Sequence, residues 1–226
     1  MHRIFLTALI AGAIAGVWVF AAHMMTTTPL ILQAEVYELG GASHQSTDAH
    51  NESAHATKDP APGGGLERSA YSLMADLITA MGFAFLLVGA MALSGQEVDF
   101  KGGMIWGLCG FAALSAAPAF GLAPELPGMA SSDLQARQIW WVGTAAATAA
   151  GLALIFMAPQ RLLKFLGAVL IVLPHIIGAP DHDVYSGDVP AALASQFAVT
   201  TLVISGLFWL LLGGLAGHFY QRFDQD

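Results

Sequence analysis

Six apolar stretches constrain this chain more than any other feature: 4–22, 72–93, 102–121, 139–157, 162–179 and 195–217. They are 18 to 23 residues long. A helix crossing a bilayer needs about 20 predominantly apolar residues, and each stretch meets or nearly meets that length. The expected fold is therefore all-α, an integral membrane helical bundle with about six transmembrane helices in a single membrane domain over 1–226. Composition agrees: 56% of residues are hydrophobic and 11% charged, where soluble domains carry about 25% charged residues. Eight Lys and Arg against sixteen Asp and Glu give a net charge of −8, which argues against a nucleic-acid partner. The single cysteine, Cys109, excludes an intrachain disulfide and a multi-cysteine metal cluster. The partner such a chain needs first is the lipid bilayer.

Proline and glycine punctuate the spans. Ala123-Pro124, Ala158-Pro159 and Ala179-Pro180 stand at or just beyond span ends, where proline cannot continue the helical ladder. Pro118 and Pro174 fall inside apolar stretches and predict kinks in the third and fifth spans. Gly12-Ala-Ile-Ala-Gly16 and Gly213-Gly-Leu-Ala-Gly217 are small-xxx-small patterns that suit close helix packing. The first span follows a short basic start, Met1-His2-Arg3, and Val19-Phe20-Ala21 would pass as a signal cleavage site. Its 19 apolar residues exceed the usual signal core of about 7–15, so the span is read as retained.

Lys and Arg in short connections set orientation. With the N-terminus and C-terminus both cytoplasmic, Arg3, Lys101, Arg161, Lys164 and Arg222 lie inside, and Lys58, Arg68 and Arg137 outside. The acids divide more sharply, with eleven outside and four inside. The location this implies is a plasma membrane, crossed several times.

The insert 40–65 has almost no large apolar side chains. It cannot offset its own ordering entropy and is expected to be a disordered, His- and acid-rich outer loop. Within it His44, Asp48, His50, Glu52 and His55 are close enough in sequence to wrap one ion. A solvated linker reads equally well. Imidazole and carboxylate together suit Co, Ni or Zn. Asp181-His182-Asp183, just beyond Pro174-His175-Ile-Ile-Gly-Ala-Pro180, is a tighter candidate for a metal or proton site at the mouth of a pathway; a histidine that merely caps the kink is the plainer alternative. His23-Met24-Met25 offers one imidazole and two thioethers, or simple packing. Asp76, early in the second span, reads as a hydrated helix-start residue or as a proton or cation relay. Trp140-Trp141 reads as an interfacial anchor. No serine nucleophile motif, HExxH, Walker A loop or dinucleotide fingerprint is present. The chain is therefore not expected to be an enzyme, nor to power transport by ATP itself.

Four segments, taken in order, carry a family resemblance: Gln33-Ala-Glu35-Val-Tyr-Glu38, Pro124-Glu125-Leu-Pro127-Gly128, Arg137-Gln-Ile-Trp140-Trp141 and Pro174-His175-Ile-Ile-Gly178-Ala-Pro180. Together they make the chain similar to the CbtA family, bacterial membrane proteins described as cobalt transporter subunits. The resemblance is nearly full-length. It implies cobalt uptake across the inner membrane, linked to cobalamin biosynthesis, with a small histidine-bearing membrane partner, CbtB. It implies five spans, so either the first or the fifth stretch counted here is the odd one. By motif it makes Glu35, Glu38, Glu125 and His175 the leading cation-handling residues. The alternative is a non-transporting scaffold or assembly subunit of another membrane complex. Oligomeric state is not legible.

Overall fold

A computed structural model describes residues 2–45, 65–180 and 189–223, with backbone alone over 38–45. Every regular element among the described residues is helical. We number them α1 (His2–Met25), α2 (Thr27–Gln45), α3 (Leu66–Ser94), α4 (Phe100–Ala119), α5 (Leu134–Met157), α6 (Arg161–Ile177) and α7 (Ala191–Arg222). Five of them, α1, α3, α4, α5 and α7, are long and apolar enough to cross a membrane.

The stretch expected as the fifth of six spans, 162–179, is the shortest. That stretch forms α6, a helix of 17 residues, about 26 Å at 1.5 Å per residue and at the lower end of the about 17–25 residues of a spanning helix. Gly178, at φ 90°, ends it in a conformation that favours glycine. The two ends of α6 still reach the two ends of the bundle. Its start follows the end of α5 directly, and just past its C-terminus Ala179 meets Gly121 at the far end of α4.

Close backbone approach pairs the helices, and it occurs where small residues allow it. A Cβ at Gly12 would stand 2.7 Å from the Met81 Cα, and one at Gly16 3.0 Å from the Leu77 Cα, so α1 and α3 run antiparallel in direct backbone contact. In the same way α4 lies on α7 through Gly103, Gly107, Gly213 and Gly217. A Cβ at Gly213 would come within 2.8 Å of the Gly107 backbone, and one at Gly103 within 2.9 Å of the Gly217 Cα. Gly151 and Gly167 join α5 to α6. Both small-xxx-small patterns thus fall at interfaces. The core they leave is built of Ala8, Ala11, Ala15, Ala80, Ala84 and Ala216, with Met91, Trp209 and Leu212 as its large members. Large apolar side chains such as Phe5, Ile78, Ile139, Phe165, Val172 and Val203 point outward instead. A soluble domain could not expose this band; lipid covers it at no cost.

Helix ends sort the molecule into two sides. Arg3 Nε donates to the Tyr220 carbonyl at 2.7 Å, which puts the start of α1 beside the end of α7. This proximal end carries Arg3, Lys101, Arg161, Lys164 and Arg222. At the distal end lie the end of α1, all of α2, the start of α3 and the 120–133 loop. The apolar pattern predicts a connection over 23–71, yet α2 occupies much of it. Thr26 breaks α1 from α2 while its hydroxyl donates to the Ala22 carbonyl at 2.6 Å. Leu30 and Ala34 then pack on Leu126 and Phe197, laying α2 across the distal end. Gln45 extends it six residues into the stretch 40–65. Residues 46–64 lie outside the described residues.

The predicted break at Pro118 takes a definite form. Pro118 has no N–H to give the Leu114 carbonyl, and its ring would crowd that group in a regular helix. The helix widens one turn earlier, as a π turn over Ala112–Ala116 closed by Ala117 N–H donating to the Ala112 carbonyl.

Replacing Gly213 by leucine should force α4 and α7 apart. Overpacking costs about 1–3 kcal/mol even where side chains can yield, and backbone cannot. Gly143, with nothing within 4 Å of an added Cβ, should accept alanine without loss. Thermal unfolding in detergent checks both: a lower midpoint for Gly213→Leu and an unchanged or higher one for Gly143→Ala.

Candidate functional site

The distal end gathers the candidate cation-handling side chains of the described residues. One loop and four helices supply three pairs there, two of them across more than 30 residues. Glu35 on α2 accepts two hydrogen bonds from the Arg68 guanidinium of α3, at 2.6 and 3.2 Å. This hydrogen-bonded cation holds the Glu35 carboxyl below its ordinary value, against a smaller opposing effect of burial. Glu125, in the loop after α4, pairs with Arg137 of α5 at 2.7 Å. His23, near the end of α1, has Nδ1 at 3.3 Å from an Asp76 carboxylate oxygen on α3.

Asp133 is the N-cap of α5, accepting from the Ala136 N–H at 2.8 Å. It thereby sets the start of the helix that carries Arg137 and Trp140. His175, in the last turn of α6, lies against two rings, Phe120 and Trp140, edge-on at 6.1 Å from each centroid. Its packing ties the ends of α4, α5 and α6 together.

A crevice of about 490 Å³ runs between α4, α5 and α7. Pro124, Glu125 and Arg137 line its distal part, and Ser115, Thr201 and Ser205 its depth. At the floor the Ser205 hydroxyl donates to Ser115 Oγ at 2.9 Å, and Trp209 Nε1 donates to the same oxygen at 3.3 Å. Ser115 sits in the π turn, which turns its hydroxyl toward α7. The Thr201 Oγ1 is buried with no hydrogen-bond partner among the described residues. A second cavity of about 550 Å³, lined mainly by apolar side chains of α3, α4 and α5, occupies the proximal half. Leu114 lines both spaces and stands between them.

Of the residues singled out in the sequence, Glu35, Glu125, His23 and His175 are thus placed at one end, but not in one cluster. Among the described residues no three His, Cys, Asp or Glu side chains come together as a metal site. Glu35 and Glu125 each have an arginine for a neighbour, a partner no local pattern announced. Glu38 and His44 lie on α2, where the backbone alone is described; His50, His55, Asp181, His182 and Asp183 lie outside the described residues. Ser115, Thr201 and Ser205 were missed altogether. The one signal that could have found them is hydroxyl residues within apolar stretches that also carry a proline.

A model of the CbtA family, the probable cobalt transporter subunit, matches residues 1–221. The chain belongs to the CbtA family. No curated protein and no solved structure matches it. Membership places this CbtA-family chain among proteins described as probable cobalt transporter subunits, and its apolar helices make it a multi-pass membrane protein.

The Glu35–Arg68 pair ties α2 to α3, and both side chains are about one-third exposed, at 35% and 34%. Such pairs contribute about 0–1 kcal/mol. Because the folded carboxyl titrates below 4.5, the contribution is whole above that value and fades as pH falls through the lowered one. The melting temperature of wild type should exceed that of Glu35→Gln slightly at neutral pH, with the gap closing on acidification. A gap that is constant with pH would contradict the ion pair.

Proposed function

We propose that this CbtA-family chain carries Co²⁺ inward across the bacterial inner membrane, as the channel-forming subunit of an uptake system that supplies cobalamin biosynthesis. The crevice carries this reading. It leads from Glu125 at the distal end to a hydroxyl floor inside a bundle whose other polar groups are few. Six water molecules at ~30 Å³ each occupy about 180 Å³, well within the 490 Å³ of the crevice, so an ion can enter with its first water shell. Glu125 is the electrostatic attractor there, and the incoming cation competes with Arg137 for it. The Ser115, Thr201 and Ser205 oxygens then face that shell.

The sides of the membrane follow from charge. Arg3, Lys101, Arg161, Lys164 and Arg222 at the proximal end favour the cytoplasm, with both termini inside. The distal end then faces outward, where cations arrive. On this reading Glu35, Glu38, His44, His50, His55, Asp181, His182 and Asp183 raise the local concentration of the ion, and His175 with Pro174 shapes the mouth. The donor types present accept Ni and Zn as well as Co. A subunit implies a companion, and a small histidine-bearing membrane protein of the CbtB type is the partner we assign.

Cellular cobalt, measured by mass spectrometry under cobalt limitation, tests the reading. A strain lacking the chain should accumulate several-fold less cobalt than its parent. Wild type should restore accumulation, and Glu125→Gln should restore little of it. Equal cobalt with and without the chain would overturn the proposal.

A further inference from the structure

The crevice begins at Glu125, but the two metal-binding groups that lie closest together among the distal residues are elsewhere, on α1 and α3. His23 Nδ1 and the Asp76 carboxylate are 3.3 Å apart. That spacing is long for a charge-assisted N–H···O bond, which runs about 2.7–2.9 Å. It also suits two ligands of one metal ion. With bonds of about 2.1 Å to nitrogen and oxygen, as zinc makes, adjacent ligands stand about 3.0 Å apart in an octahedron and about 3.4 Å apart in a tetrahedron. The observed separation lies between the two.

The ligands are also held at that distance. α1 and α3 are locked by the Gly12 and Gly16 contacts with Met81 and Leu77, so the span between His23 and Asp76 is set by backbone packing. Thr27 is buried, and its hydroxyl donates to the His23 carbonyl at 3.3 Å. This fixes the helix end from which the imidazole projects. The side chains remain partly exposed, at 35% and 20% of their full surface, near the distal ends of α1 and α3.

We propose that His23 and Asp76 form a two-ligand site for a divalent first-row metal ion at the distal end, with water completing its coordination. The proposal rests on the transport reading above and names the station at which the ion first meets fixed ligands. The ion takes the place of the contact between the imidazole and the carboxylate. One neutral nitrogen and one carboxylate leave most of the shell as water. Affinity is accordingly modest and exchange fast, as a site that passes its ion onward requires. In this account Asp76 is a cation relay, the alternative to a hydrated helix-start residue, and its partner is the imidazole 53 residues upstream.

Co²⁺ binding to the purified full chain tests this, read by the visible d–d absorption of the ion and by equilibrium dialysis. His44→Ala, His50→Ala, His55→Ala and His182→Ala are introduced together, so that the histidines of those segments contribute nothing. The chain should still bind Co²⁺ with a spectrum typical of mixed nitrogen and oxygen ligation. His23→Gln and Asp76→Asn should each weaken binding about tenfold or more, the scale on which lost site groups act. The amide introduced by Asp76→Asn keeps an oxygen to accept from His23, so this variant should melt at the wild-type temperature, which separates lost ligation from lost fold. Undiminished affinity in Asp76→Asn and His23→Gln, or no binding in the histidine-depleted chain, would overturn the site. Binding that is lost in these variants while cellular uptake never depended on the chain would instead overturn the transport reading and leave the site standing.

Discussion

Everything at the distal end depends on how closely helices can approach in lipid. Hydrocarbon is as apolar as leucine, so burying leucine between helices gains little there; dispersion contacts and backbone proximity must hold the bundle. This chain solves the problem with glycine. α4 and α7 meet through Gly103, Gly107, Gly213 and Gly217, on both partners, while α1 and α3 meet through Gly12 and Gly16 on one side alone. Large side chains are thereby displaced to the perimeter, where lipid receives them. The interior is small and rigid, and rigidity is what gives His23 and Asp76, or Ser115 and Ser205, a defined separation.

The π turn of α4 shows how a local defect becomes a site. Pro118 removes a donor, the helix accommodates by one wide turn, and Ser115 is presented to α7. Three polar groups, Ser115, Ser205 and the Trp209 indole, then satisfy one another at membrane depth. Unpaired, each would be costly in hydrocarbon. Paired, they make a floor that can face water or a hydrated ion. Wide turns of this kind recur at functional sites for the same reason: they re-aim a side chain without breaking the helix.

Much of this was legible in the sequence, because lipid imposes a simple rule on length and polarity. The spans of α1, α3, α4, α5 and α7 follow from apolar runs alone, as do the glycine patterns and the break at Pro118. The stretch 162–179 forms α6, the shortest of the helices that run the length of the bundle. Its apolar run continues through Pro174 to Ile177, but Gly178 and Pro180 stop the helix short of the length the others reach. α2 was not legible, since Pro29 and the polar residues from Gln33 onward resemble a connection. Its helix is stabilised by Leu30 and Ala34 packing on Leu126 and Phe197, contacts a local pattern does not contain. The site was less legible still. Glu35, Glu125 and His23 could be picked as polar groups near a boundary, but Arg68, Arg137 and Asp76 join them only through the pairing of α1, α2 and α3 and the turn before α5.

The central claim is that a divalent ion passes through this bundle from its acid-bearing distal end. The most direct measurement is radiocobalt accumulation in sealed liposomes reconstituted with the full chain and the proposed CbtB-type companion, compared with protein-free vesicles. The account predicts time-dependent accumulation above the protein-free level that falls when Glu125 is replaced by glutamine. Accumulation no greater than in protein-free vesicles, with both subunits folded and present, would contradict it.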